Sequence, residues 1–136
     1  MTVVCDSGVI FAALDRRDRS HEKCVALLSS VDGVIAPALI LVEVDWLSSS
    51  RGVHGAMASL LNAVVERVVH LVDLDLDGYT RARDLMERYA RLGLSLVDAS
   101  VIAVAERLEV ATIGTLDRRG FSVVRPAHVP AFTLVP

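Results

Sequence analysis

Four short runs rich in β-branched residues, 2–5, 33–36, 68–71 and 111–114, are separated from one another by stretches of helical character. This alternation constrains the fold most, because a parallel strand pair needs a crossover of about a dozen or more residues, usually a helix. The chain therefore reads as an α/β fold, a central, mostly parallel sheet flanked by helices with right-handed crossovers. Helices are expected over 7–14, from the Ser20 cap to 28, over 53–65, over 76–91 before Gly93, and over 97–108. Pro37 suits the first turn of a further helix that runs through 40–47 and ends near Ser48, Ser49 and Ser50. Segment 122–124 reads as another strand, and the tail beyond Pro126 has no assignment. With 136 residues and no repeat, linker or low-complexity stretch, residues 1–136 form one domain.

Acidic residues stand where such a fold gathers ligands, just beyond the carboxyl ends of its strands. Asp6 follows the first run and Asp117 the fourth. Glu43 lies in a helical stretch whose neighbours three and four positions away are Leu39, Ile40, Trp46 and Leu47, which places it on the apolar side. Asp98 falls in the first turn of an apolar helix. A buried carboxylate needs a cationic partner. Of fourteen basic residues only Lys23 is a lysine, leaving an arginine ion pair or a bound metal ion for Glu43. Each acid also has a purely structural reading. Asp6 can cap a helix, Ser95 and Asp98 fit a capping box, and Asp117 before Arg118-Arg119-Gly120 suits a turn. Asp45, about 200° around the helix from Glu43, reads as solvent-facing.

If the four acids converge, their mutual repulsion raises at least one pKa unless cations neutralise the site. Oxygen-only ligands suit Mg²⁺ or Mn²⁺ rather than zinc, and none of His21, His54, His70 and His128 shows paired ligand spacing. A pair of such ions about 3.5–4 Å apart can activate water and stabilise the leaving oxygen in phosphodiester hydrolysis. Arg16, Arg17, Arg19, Arg118 and Arg119 flank two of the acids and are candidate phosphate contacts, or singly just solvated surface residues.

The net charge of −3 argues against broad, nonspecific nucleic-acid binding. A hydrophobic fraction of 53% and a mean hydropathy of +0.50 predict a subunit or partner interface, with the helices around 38–65 as candidates. No stretch has the 18 or more apolar residues of a membrane span, and the start lacks the features of a signal peptide. Cys5 and Cys24 form no C-x-x-C, and Cys5 reads as a small buried hydrophobe, all consistent with a cytoplasmic protein.

Four segments taken in order, residues 3–10 (VVCDSGVI), 41–44 (LVEV), 94–100 (LSLVDAS) and 111–117 (ATIGTLD), resemble the motifs of PIN-domain nucleases over nearly the whole chain. Chain size and residues 115–121 (TLDRRGF) look most like the VapC-type toxins of bacterial toxin–antitoxin pairs. The resemblance implies an Mg²⁺- or Mn²⁺-dependent endoribonuclease acting on tRNA, rRNA or mRNA. It also implies a homodimer, held inactive by a cognate antitoxin that obstructs the acidic pocket. Asp6, Glu43 and Asp98 match the family's core acids, Asp117 its fourth, and Thr115 the hydroxyl residue beside that fourth acid.

Two other classes compete with this one. A haloacid-dehalogenase-like phosphatase needs a second Asp where Gly8 stands and a later lysine; P-loop chemistry lacks its Gly-Lys-Ser/Thr. A non-catalytic RNA- or protein-binding module would keep the fold, but an acidic pocket without metal repels phosphates.

Overall fold

The computed structural model describes residues 1–136. Five parallel strands stand in the spatial order β3-β2-β1-β4-β5: β1 Thr2–Cys5, β2 Gly33–Pro37, β3 Val69–Val72, β4 Thr112–Gly114 and β5 Thr133–Val135. The connections carry α1 (Ser7–Leu14) and α2 (His21–Ser30), then α3 (Ile40–Ser50) and α4 (Ala56–Val65), then α5 (Leu76–Arg88) and α6 (Leu96–Arg107), and finally α7 (Arg119–Val123). The chain builds outward from β1 to β3, then returns to lay β4 on the other side of β1. That reversal opens a crevice between β1 and β4 at the carboxyl ends of the strands.

β1 is the centre of the sheet, and Val3, Val4 and Cys5 have no exposure, as befits a strand covered on both faces. Its last rung is the Asp6 N–H donating to the Gly114 carbonyl at 2.8 Å. Gly114 permits this approach, since a Cβ there would sit 3.1 Å from the Cys5 sulfur and 3.3 Å from a Val3 methyl. α6 is buried almost all round from Ala99 to Ala105 and packs on β1, β2 and β4, with α5 laid against it. α1 packs on α2, α3 and α4. Arg81 of α5 donates twice to Glu106 of α6, at 2.8 Å each, and Glu106 also accepts from the Ala127 N–H, tying both helices to the tail.

Several elements differ from the sequence expectation. Residues 122–124 lie in or at the end of α7, because Phe121 and Val124, three apart, both bury while the slot beside β4 is taken by Thr133–Val135. The tail thus supplies the fifth strand. Pro37 ends β2 rather than starting a helix, pairing in register with Val72, and α3 begins three residues later. α4 begins at Ala56, after Gly55 in the left-handed region. Ser20 occupies the cap position of α2 without a side-chain cap bond; its own N–H is held by Asp18 at 2.8 Å. The helix expected over 76–91 breaks into α5 and a 3-10 turn, Ala90–Leu92. In α3 the buried row is Ile40, Val44 and Ser48, so Trp46 faces outward with 67% exposure and Glu43 is half-buried at the edge. No helix is long and apolar enough to cross a membrane.

Candidate active site

The crevice between β1 and β4 is built around Asp6. The residue leaves β1 in an extended conformation and caps α1, its Oδ1 accepting from the Ser7 N–H at 2.8 Å. Oδ2 accepts from the Thr115 hydroxyl at 3.3 Å. The residue is only 8% exposed. The Ser7 hydroxyl donates to Glu43 Oε1 and lies 3.4 Å from Asp6 Oδ1, so Ser7 bridges the two acids. Asp98 arrives on the first turn of α6, where its Oδ2 accepts from the Ser95 N–H at 3.2 Å and completes a capping box. The capping roles of Asp6 and Asp98 are therefore real, and they orient the side chains at the crevice.

Burial is the main cause that lifts the Asp6 carboxyl, which sits at about 6. The Ser7 N–H opposes the rise, the charges of Asp98 and then Glu43 add to it, and the Thr115 hydroxyl opposes it again. None of the protein's ion pairs involves Asp6, Glu43 or Asp98, so the arginine pairing open to Glu43 is not made.

Asp117 stands apart from this group. It is exposed, and Arg119 reaches it with Nε at 3.3 Å and Nη2 at 3.4 Å, holding its carboxyl below the usual range. Its charge is not among those acting on Asp6. Thr115 joins the two places: its hydroxyl accepts from the Asp117 N–H at 3.1 Å and lies against Asp6. The sequence expectation of four convergent acids becomes three in one electrostatic neighbourhood and a fourth on the rim.

The donor set fits a hard divalent cation. It is all oxygen, partly buried, negatively charged and without a protein cation. As the side chains stand, no three acidic, histidine or cysteine groups close around one point. Mg²⁺ does not demand that closure, because it keeps several waters and takes one or two carboxylates directly.

A groove of about 790 Å³ opens beside the crevice, walled by Leu116, which links Thr115 to Asp117. Arg17, Arg19, Lys23 and Arg51 line it, with Asp15 and Asp18 as counter-charges. Arg51 is held between Asp18, at 3.7 Å, and the face of Phe11, 5.3 Å from the ring centre. Of the five sequence-nominated arginines only Arg17 and Arg19 line the groove. Arg16 is exposed outside it, Arg118 donates to the Pro136 carbonyl at 2.6 Å, and Arg119 is taken by Asp117. Sequence reasoning missed Ser7, Arg51 and Lys23. Only Ser7 carried a local signal, a hydroxyl directly after a strand-ending Asp.

The family model described as PIN domain matches residues 3–125. Ribonuclease VapC26 of Mycobacterium tuberculosis is 26% identical over 137 residues, covering 98% of this chain and 100% of that protein. Among solved structures, M. tuberculosis VapC20, a sarcin-ricin loop cleaving toxin, superposes with a TM-score of 0.82 at 21% identity, covering 94% of this chain and 98% of that one. VapBC2 from Rickettsia felis, solved bound to a DNA fragment from their promoter, gives 0.62 at 18% identity, covering 98% and 97%. FitAcB from Neisseria gonorrhoeae gives 0.63 at 20% identity, covering 89% and 91%. At these identities the solved structures share the fold.

Proposed function

The chain belongs to the PIN-domain family, and from that premise we propose that it is a divalent-ion-dependent endoribonuclease of the VapC toxin type. The observation that carries this reading is a set of three carboxylates, Asp6, Glu43 and Asp98, at the β1–β4 crevice with no cationic side chain to neutralise them. In this reading the three hold Mg²⁺ or Mn²⁺, which when bound supplies the positive charge that activates water and stabilises the leaving oxygen. Ser7 fixes the relative position of Asp6 and Glu43, and Thr115 steadies Asp6 from the β4 side. Asp117 serves from the rim, its backbone N–H held by the Thr115 hydroxyl and its carboxylate by Arg119. Arg17, Arg19, Lys23 and Arg51 take the phosphates of the RNA backbone, which positions a strand without reading its sequence; Arg16, Arg118 and Arg119 are peripheral to that track.

The same reading places the protein in the cytoplasm, as a homodimer controlled by a cognate antitoxin. Exposed Leu61 and Val65 of α4 with Val68 form an apolar edge that supports self-association, and sedimentation at micromolar concentration without antitoxin tests it. Activity is tested by incubating total RNA with Mg²⁺ or Mn²⁺, against EDTA, for the native protein and for Asp6→Asn and Asp98→Asn. Cleavage that needs the ion and both carboxylates is the expected result. Undiminished cleavage in EDTA, or full activity in both variants, overturns the proposal.

A further inference from the structure

On the side of the acids reached through α3 and the start of α6 lies a shallow, mostly apolar cavity of about 480 Å³. Its lining is Val42, Glu43, Trp46 and Leu47 of α3 with Val97 of α6. The cavity is continuous with the acid site: Glu43 belongs to both, and Val97 immediately precedes Asp98. Its exposed apolar surface is concentrated in two side chains, Val42 at 73% and Trp46 at 67% exposure. The α3 core row of Ile40, Val44 and Ser48 makes no use of the indole.

We propose that Trp46 is a stacking platform for a nucleobase of the RNA next to the scissile phosphate, with Val42 and Val97 as the apolar sides of that base site. The inference rests on the nuclease reading and deepens it by assigning a base-contacting residue. Two features favour a base over a protein partner. A stable protein interface takes about 800 Å² from each side, whereas this face offers two exposed apolar side chains bounded by a carboxylate. A separate apolar exposure, three aliphatic side chains long, lies elsewhere at Leu61, Val65 and Val68. An aromatic face beside a phosphate-handling site is the arrangement by which single-stranded nucleic acid is held without sequence readout. The basic groove at Arg51 and the platform at Trp46 border the acids through different elements, Leu116 and Glu43 respectively, so a strand can engage both. A base in a regular duplex is stacked on its neighbours, so the platform selects loops, bulges or unpaired ends.

Trp46 is the only tryptophan, so indole fluorescence reports this position alone. The probe is a short mixed-sequence single-stranded RNA, with an abasic ribose-phosphate oligomer of equal length as control. Ca²⁺ replaces Mg²⁺, and product formation is followed in parallel. The RNA is expected to quench the emission and the abasic oligomer to leave it unchanged. In Mg²⁺, Trp46→Ala is expected to raise KM about 5- to 100-fold with a smaller change in kcat, and Trp46→Phe to restore most of the loss. Equal quenching by the abasic oligomer, or cleavage with unaltered emission, overturns the platform. So does a Trp46→Ala variant that keeps its KM but loses self-association in sedimentation, which assigns the face to a second copy. Base-dependent quenching without divalent-dependent cleavage leaves the platform standing and retires the nuclease reading.

Discussion

Replacing Asp6 by Asn removes one charge from the centre of the acid group while nearly preserving its shape. The carboxyl rises from an ordinary 3.8 to about 6, chiefly through burial. A rise of that size means that ionised Asp6 costs the metal-free folded protein about 3 kcal/mol at pH 7. Asn caps a helix about as well as Asp, so the Ser7 N–H keeps an acceptor, and the Thr115 hydroxyl can turn to accept from the amide. The net expectation is that Asp6→Asn is more stable than the native protein by about 1–3 kcal/mol in EDTA at pH 7, or about 3–10 °C in Tm. Between pH 3.8 and about 6 folded Asp6 holds its proton where the unfolded chain releases it. Native stability therefore falls as pH rises through that window and levels off above it. The advantage of the variant is accordingly small at pH 4 and complete at pH 7. Mg²⁺ at a hundredfold excess over Kd adds about 2.7 kcal/mol to the native protein and little to the variant, which offsets most or all of the variant's advantage. Melting curves at pH 4 to 8, with EDTA and with Mg²⁺, make the measurement. A variant less stable than the native protein at pH 7 in EDTA, or stabilised equally by Mg²⁺, refutes the repulsion-and-ion account.

Glu43→Gln and Asp98→Asn are expected to abolish divalent-dependent RNA cleavage, while Asp45→Asn, on the exposed side of α3, stays within about twofold; gel analysis of total RNA decides. Asp117→Asn is expected to weaken cleavage without abolishing it, as befits a rim position, and the same gels report it. Arg51→Ala is expected to lower the slope of log affinity against log salt by about 1 in filter binding of RNA, with unchanged slope removing Arg51 from the phosphate track. Arg81→Ala strands the Glu106 carboxylate and should cost about 3 kcal/mol in urea unfolding, whereas Arg81→Met with Glu106→Leu should recover most of the loss.

Strands β1 to β4 are legible because their β-branched runs are bounded by turn residues and separated by helix-length stretches. β5 is not: Thr133-Leu134-Val135 is β-prone but short and closed in by Pro130 and Pro136, and it becomes a strand by pairing with the edge of β4. That same competition turns 122–124 away from the sheet, where Ser-Val-Val alone reads as extended. On α3 the apolar residues fit two helical faces, and the choice falls to Ile40, Val44 and Ser48 because Ser48 satisfies its hydroxyl on the Val44 carbonyl at 2.8 Å and so can bury. A sequence reader counts Ser48 as polar and places Trp46 inward instead. Asp6 and Asp98 are visible because caps and strand ends have local signatures. Arg51 is invisible because its place in the groove depends on how α3 packs against α1.

The hydroxyl that steadies Asp6 belongs to Thr115, a residue 109 positions away, and the Thr115 N–H is itself held by the Val135 carbonyl at 2.8 Å. During translation the first strand therefore emerges long before its support. While residues 112–135 are missing, β1 lacks its β4 neighbour, and Asp6 lacks both the Gly114 rung and the Thr115 hydroxyl. At about 5–20 residues per second, the interval from Thr115 to Val135 alone lasts about 1–4 s. On the nuclease reading proposed above, a growing chain lacks its completed acid centre for most of its own synthesis. A message truncated ahead of β4 yields a product with no assembled acid centre.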